Sequence, residues 1–466
     1  MTPTQTPLSR AEKDSPQRTG VLALVVICTG YFVAILDTMV VNVALPAIRR
    51  ELHSGVAGLQ WVVDAYLLSF AGLLLAGGAL AERIGGRRVF LAGLALFALA
   101  SAACGLSPSL PFLVGARLVQ GAGAALLVPS SLVLLQAAYP TREERSRAFG
   151  IWGAIAGVGA ASGPIVGGLL VTAWSWRGVF FINLPFAIAA FALAGRAVPV
   201  AASRARALDL PGQLLAVAGL ALLTGALVQA GRLGWTAPRV LGLFVLAAVS
   251  LAAFAAAERR SRDPMLPLSL FGRSAFRSGT AVGLLINFGL YGQLFVLALY
   301  FQDVRGYSAL RTGLALLPEA ALLIVASALS GRIMARTGPR LPMLAGLLIG
   351  GAGLLGVATA GPHTRYLLLV APMAATGFGM ALTMPAATAT VMEAAPPDRG
   401  GIASGVVNAA RQTGSMLGVA LLGTLVSARS GFTGGLHAGI TIAAAAFFIA
   451  AGLAWAGVHR PASQHR

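Results

Sequence analysis

The sequence predicts an all-α integral membrane protein: fourteen transmembrane helices, arranged as two pseudo-symmetric six-helix bundles plus a two-helix insert. Three observations predict it. The 466-residue chain is 57% hydrophobic and only 11% charged, too little charge to coat a soluble domain. Apolar runs of about 20 residues, the length that crosses a bilayer, recur along nearly the whole chain. The chain is also written twice. Gly78 to Arg88, G-A-L-A-E-R-I-G-G-R-R, returns as G-R-I-M-A-R-T-G-P-R from Gly331 to Arg340. Gly121 to Pro129, G-A-G-A-A-L-L-V-P, returns as G-F-G-M-A-L-T-M-P from Gly377 to Pro385, and the offset stays near 255 residues.

The apolar runs place helices at roughly 21–46, 57–81, 88–107, 110–138, 147–173, 179–198, 209–230, 238–257, 276–302, 308–331, 341–361, 364–392, 400–427 and 436–458. Adding about 255 to the first six gives the last six, so the seventh and eighth have no counterpart and read as an insert. The expected organisation is a cytoplasmic tail (1–20), a six-helix bundle (21–198), linkers with two inserted helices (199–275), a second bundle (276–458) and a short cytoplasmic tail (459–466). Polar stretches at Pro199 to Arg206 and Glu258 to Arg277, the latter with Pro264 and Pro267, mark the boundaries of the insert. The first apolar run is too long for a cleaved signal and lacks a small-residue cleavage pattern, so it reads as a permanent span.

A net charge of +19 could suggest nucleic acid, but its placement argues otherwise. Lys13 is the only lysine, and most arginines fall in short loops on the side that holds both termini, among them Arg142, Arg145, Arg147, Arg259, Arg260 and Arg262. This positive-inside bias predicts cytoplasmic termini in a bacterial inner (plasma) membrane. Cys28 and Cys104 both lie in spans, so no structural disulfide is expected. Phosphate-loop, dinucleotide and zinc-ligand spacings are absent from the sequence, as is a nucleophile–base constellation. The expectation is therefore no enzyme, no cofactor, no metal and no ATP-driven transport by this chain alone. Repeated bundles of this size favour a transporter with its site at the seam between halves.

The motifs add a family. Leu36 to Pro46 (L-D-T-M-V-V-N-V-A-L-P) resembles the first-helix signature of the fourteen-helix drug:proton antiporter branch of the major facilitator superfamily. Gly78 to Arg88 resembles the superfamily's loop motif, Arg117 to Gly123 (R-L-V-Q-G-A-G) its fourth-helix motif, and Gly159 to Gly168 (G-A-A-S-G-P-I-V-G-G) the fifth-helix motif of exporters. Trp176-Arg177, followed by Phe180 to Pro185, also resembles this branch. Two positions depart from the loop motif: Glu82 stands where aspartate is usual, and Gly86 where a further basic residue is usual. The resemblance implies proton-coupled export of amphipathic drugs or antibiotics (multidrug efflux). The alternative is an exporter dedicated to one endogenous metabolite or lipid. A non-transporting receptor or scaffold is the remote alternative.

Charged residues inside spans are the functional candidates, because each must face a partner or a wet cavity. Asp37 lies about sixteen residues into the first helix, or ~24 Å of rise at about 1.5 Å per residue. It is either a proton and substrate carrier or half of a permanent ion pair. Asp64 and Glu319 sit at equivalent places in the two halves and read as a cation-binding or proton-relaying pair, or as groups hydrated near the outer surface. Arg117 is expected to meet Asp37 or Asp64, and Arg411 to approach Glu319; structural ties to backbone carbonyls are the alternative. Asn42 and Gln120, within the resembling motifs, complete this set.

A second group is expected to gate. Gly78, Glu82, Arg83, Gly85, Arg87 and Arg88 form a loop cluster in which Glu82 pairs with an arginine or with a helix end of the other half. Gly159, Gly163, Pro164 and Gly167 form a kinked small-residue face. A third group, Tyr31, Tyr66, Asn287, Phe288, Tyr291, Gln293 and Gln412, is expected to line an apolar cavity with a few polar contacts, suited to flat hydrophobic cations. The partners implied are a small amphipathic substrate, protons and the lipid bilayer, with the chain acting as a monomer and without nucleic acid.

Overall fold

A computed structural model describes residues 16–139, 141–198, 209–261, 264–396, 399–427 and 431–458. Most of both tails and residues 199–208 of the first linker, with Arg204 and Arg206, lie outside the described residues. The first half comprises α1 (Pro16–Glu51), α2 (Val56–Ile84), α3 (Gly86–Gly105), α4 (Leu110–Ala138), α5 (Arg142–Ala173), α6 (Gly178–Phe181) and α7 (Asn183–Ala197). The insert is the hairpin α8 (Leu210–Leu233) and α9 (Pro238–Arg260). The second half comprises α10 (Ser274–Leu299), α11 (Ala309–Ala315), α12 (Leu317–Thr337), α13 (Arg340–Val357), α14 (Tyr366–Ala394), α15 (Gly400–Ser427) and α16 (Phe432–Gly457). With α6–α7 and α11–α12 each forming one interrupted crossing, these make fourteen spans, and thirteen are long and apolar enough to cross a membrane. The exception is α15, which carries Asn408, Arg411 and Gln412 in mid-helix.

Several boundaries differ from the sequence expectation, each for a local reason. The first helix runs through Pro46 to Glu51, since a proline removes only one backbone bond and packed neighbours hold the rest. The fifth begins at Arg142 because Thr141 caps it: Thr141 Oγ1 accepts from the Glu144 amide at 3.3 Å and meets Glu144 Oε2 at 2.7 Å. The tenth crossing breaks at Leu316, just ahead of Pro318, which lacks the N–H that would continue the ladder. That break puts Glu319 in the first turn of α12.

The sequence repeat has a structural meaning. Gly85 and Gly338, equivalent in the two copies, both adopt positive φ (96° and 76°) at the turns from α2 to α3 and from α12 to α13. Such a turn is strained for any residue with a Cβ. The repeated G-x-G of α4 and α14 does a different job. A Cβ on Gly121 would overlap the Tyr66 carbonyl of α2, and one on Gly377 would overlap the Glu319 carbonyl of α12. Their companions act on the next helix: Gly123 lies against the Phe97 backbone of α3, and Gly379 against Gly346 and Gly350 of α13. Each half thus brings its carboxylate-bearing helix into backbone contact with its fourth helix.

The halves meet along α2–α15 and along α5–α11–α12. We call the end that holds the start of α1 and the end of α16 the terminus end. At the opposite, far end the seam is closed by polar contacts. Gln60 Nε2 donates to the Ala420 carbonyl at 2.6 Å, Gln302 Nε2 to the Val43 carbonyl at 2.9 Å, and Arg49 pairs with Asp303 at 2.9 Å. Gly168 and Gly313 let α5 and α11 touch backbone to backbone. Toward the terminus end Gly150, Gly153 and Gly331 are exposed, with nothing within 4 Å of an added Cβ. The α8–α9 hairpin packs on the outside of α2 and α15, where Gln213 donates to the Gly72 carbonyl.

Overpacking a close contact typically costs about 1–3 kcal/mol. Gly121→Val should therefore lower the thermal midpoint of the detergent-purified protein by several degrees. Gly115→Val, on the same helix with nothing within 4 Å, should leave it unchanged; equal midpoints would refute the contact's role.

Candidate functional site

Three helices and one helix break converge on Asp37, which is fully buried in α1. Its Oδ2 forms an ion pair with Arg117 Nη1 of α4. Its Oδ1 accepts from Gln120 Nε2 at 2.8 Å and from Asn183 Nδ2 at 3.0 Å. Arg117 and Gln120 share a face of α4 because they are three residues apart. The arginine is satisfied further: Nε donates to the Val62 carbonyl at 3.0 Å, Nη1 to Gln120 Oε1 at 2.7 Å, and the guanidinium lies 4.3 Å from the Tyr66 ring centre. Gln120 also donates to Ser101 Oγ at 2.8 Å. The result is a neutral, hydrogen-bonded cluster, the form in which charge is least costly inside a bilayer. Of the two partners the sequence allowed Arg117, the structure selects Asp37. Asn42 stays apart: its Nδ2 donates to the Thr38 carbonyl at 3.1 Å, and its Oδ1 is buried without a partner.

Asp64 and Glu319 are solvated quite differently. Both are buried, at 0% and 3% exposure. Neither oxygen of Asp64 has a hydrogen-bond partner. Gln60 and Leu75 contact α15, and Asp64 falls on the same stripe of α2 between them. Glu319 Oε2 accepts from Gln293 Nε2 of α10 at 3.2 Å, while Oε1 has no partner. An unpartnered carboxyl in this setting is tolerable as the neutral acid and very costly as the anion. Among the described residues neither takes part in an ion pair.

The expected approach of Arg411 to Glu319 does not occur. Glu319 meets Gln293 on α10, whereas Arg411 projects from α15 toward Gly283 of α10, whose added Cβ would lie 3.4 Å from Arg411 Cγ. Tyr291, about two turns further along α10 than Gly283, is buried, as is Tyr31 of α1. Tyr31 in turn stacks on Trp152 of α5, with ring centres 3.8 Å apart and planes 5° from parallel. Tyr66 donates to the Ala34 carbonyl at 3.1 Å, beneath Arg117. Tyr31, Tyr66 and Tyr291 are buried on α1, α2 and α10, and Arg411 is half-buried on α15. Asn287 is turned back on its own helix, donating to the Gly283 carbonyl at 2.8 Å. Phe288 contributes its carbonyl to the close approach of Gly418, and Gln412 is half-buried on α15.

The gating candidates divide as well. Glu82 lies at the start of α15, with Oε1 3.4 Å from where a Cβ on Gly401 would project, so the loop motif meets a helix end of the other half. A carboxylate there also complements the positive end of that helix. Gly78 packs near Pro129, at 3.6 Å from an added Cβ. Arg87 donates to the Gly195 carbonyl of α7, while Arg83 and Arg88 are exposed. Gly159, Gly163 and Gly167 seat α5 on α1 at Phe32, Met39 and Val40, and the Pro164 carbonyl meets Gly313 of α11.

Comparison with known proteins decides the family. A sequence model described as "Major Facilitator Superfamily" matches residues 27–419. The chain belongs to the Major Facilitator Superfamily. Among its curated relatives, the methylenomycin A resistance protein of Streptomyces coelicolor is 38% identical over 449 residues, covering 96% of this chain and 94% of that protein. The multidrug resistance protein Stp of Mycobacterium tuberculosis is 40% identical over 412 residues, covering 88% and 76%. The tetracenomycin C resistance and export protein of Streptomyces glaucescens is 36% identical over 411 residues, again covering 88% and 76%. Among solved structures, a POT family transporter in complex with a thioalcohol-conjugated peptide superposes with a TM-score of 0.71 at 16% identity, covering 95% of this chain and 97% of that one. That likeness speaks to the fold. This member of the superfamily is a multi-pass membrane transporter and not an enzyme.

Sequence reasoning missed Asn183 and Ser101, which complete the Asp37 cluster. Asn183 was visible as a polar residue inside the apolar run from Phe180 to Pro185, but only the break between α6 and α7 turns it inward. The Arg49–Asp303 pair was also missed, although the two positions differ by the repeat offset.

Removing one partner of a buried ion pair typically costs about 3–5 kcal/mol, because the other charge is stranded. Arg117→Gln and Asp37→Asn should each destabilise the purified protein strongly. The double variant should be clearly more stable than the sum of the two losses. Additive losses in denaturation curves would mean that the pair does not act as a unit.

Proposed function

We propose that this chain is a proton-coupled exporter of amphipathic drugs or antibiotics, working by alternating access. The single observation that supports this best is the pair of buried, equivalently placed carboxyls, Asp64 and Glu319, whose free oxygens contrast with the saturated Asp37 cluster. Protons entering from outside would load the carboxyls, and substrate leaving from the inside would use the chamber between Tyr31, Tyr66, Tyr291 and Arg411. The efflux and resistance names of the relatives support the direction of transport.

The arginine distribution supports cytoplasmic termini in a bacterial plasma membrane, which makes the terminus end the inner face. On this orientation the closed far end would be the outer gate. Opening outward would require separating Arg49 from Asp303, Gln302 from Val43 and Gln60 from α15, while Glu82 and the start of α15 hold the inner side. The Asp37–Arg117 cluster would tie the first half together as a rigid body rather than carry the exchanging proton. Both sides of the chamber come from one chain, so a monomer suffices.

The test is transport in proteoliposomes under an imposed pH gradient, using a panel of amphipaths that includes ethidium. Gradient-driven, protonophore-sensitive movement of at least one compound is expected. Glu319→Gln should abolish gradient-driven accumulation, a loss of tenfold or more, while substrate counterflow without a gradient persists. Transport that ignores the protonophore would refute the coupling.

A further inference from the structure

Arg411 is a positive charge in a transmembrane helix that no carboxylate among the described residues neutralises. Among the described residues its guanidinium donates to Asn408 Oδ1 at 3.5 Å on its own helix, and its Nε is buried without a partner. No carboxylate lies within ion-pair distance of it among the described residues. The contrast with Arg117, saturated by Asp37, Gln120 and the Val62 carbonyl, is internal to the same molecule. Nor does the repeat explain it, because the equivalent position in the first half is Ala156. A half-buried arginine at this depth is a cost that water lowers in part and an anionic partner would lower further.

We propose that Arg411 determines specificity by binding the carboxylate of an anionic amphipathic substrate. The inference rests on the reading of this chamber as the substrate site and names the class of molecule it takes. A guanidinium presents parallel donors that match a carboxylate in two hydrogen bonds. Arg411 packs against Gly283 of α10, and the buried phenol of Tyr291 lies about two turns further along that helix. The Tyr31–Trp152 stack offers a flat wall for an apolar ring system. Asn408, one turn from Arg411, lines a cleft of about 50 Å³ between α2, α4 and α15 that it shares with Gly78, Glu82, Ser404 and Gly405 near the terminus end. The sequence alone suggested hydrophobic cations from the aromatic residues; the unneutralised arginine among them reverses that sign.

The experiment is equilibrium binding to the full-length, detergent-purified protein without any gradient. The probes are a matched pair, 2-naphthylacetate and 2-(2-naphthyl)ethylammonium, which differ chiefly in charge. Wild-type protein should bind the acetate at least tenfold more tightly than the ammonium. Arg411→Gln should erase that preference, and Arg411→Lys should keep the preference with reduced affinity, since lysine supplies the charge without the fork. Equal or tighter ammonium binding by wild type would overturn the proposal. So would an Arg411→Gln variant whose acetate affinity stays within twofold, or no acetate binding by monodisperse wild type. If Arg411→Gln does not fold, the wild-type preference and the Lys variant decide. Because no proton gradient is involved, a failure here is distinct from a failure of proton coupling.

Discussion

A carboxylate inside a bilayer has no water to solvate it, and the central architecture of this protein follows from how each intramembrane charge meets that demand. Asp37 meets it with Arg117, Gln120 and Asn183, contributed by α4 and the α6–α7 break. A cluster so complete pins α1, α4 and α7 together and gives the first half a fixed interior. Asp64 and Glu319 do not meet it at all in the ionised form. They occupy the helices that face the other half, where a change of protonation can be felt across the seam. The division of labour is thus chemical. The saturated charge ties one bundle together, and the unsatisfied ones lie on helices that contact the other half.

Glycine supplies the mechanical counterpart. In both halves the fourth helix touches the backbone of the carboxylate-bearing helix through a glycine, Gly121 at Tyr66 and Gly377 at Glu319 itself. A backbone contact without intervening side chains transmits a shift with little slack. Between the halves the pattern changes. Glycine contacts at Gly168 and Gly313 are joined by exposed or half-exposed polar pairs such as Arg49–Asp303, at 33% and 22% exposure. Contacts of that kind contribute modestly and can be exchanged for water at low cost.

Much of this was legible in the sequence, for definite reasons. Helices were legible because apolar runs of bilayer length have few other uses, and the bundle symmetry because Gly85 and Gly338 must repeat wherever the same tight turn repeats. The Asp37–Arg117 pair was legible as one of two choices, because only a few charges share the first half's interior. What was not legible depended on directions that helix geometry alone does not fix. Arg411 and Glu319 lie in the same half, yet α15 and α12 present them to different neighbours. Asn183 needed a helix break, and the Thr141 cap needed a reading of local hydrogen bonds where the apolar pattern had already faded. The Arg49–Asp303 pair was present in the repeat offset but sat in polar helix ends, where surface charge is the ordinary explanation.

The position of Arg411 also bears on energetics. In a cell that is negative inside, a proton entering moves charge down the membrane potential, and an anion leaving does so too. Each elementary charge contributes about 2.3 kcal/mol per 100 mV. On the reading of this chain as an exporter of carboxylates, one proton in and one anion out move two charges in the favourable sense, whereas one proton exchanged for a cation moves none. The buried carboxyls, on α2 and α12, and the arginine, on α15, are separate groups on separate helices. On that reading a substrate charge and a proton would be held on different residues, and the potential would act on both. An arginine that costs insertion energy of about 2.5–3.5 kcal/mol at a helix centre is offset, on this view, by a driving force that a neutral chamber lining could not use.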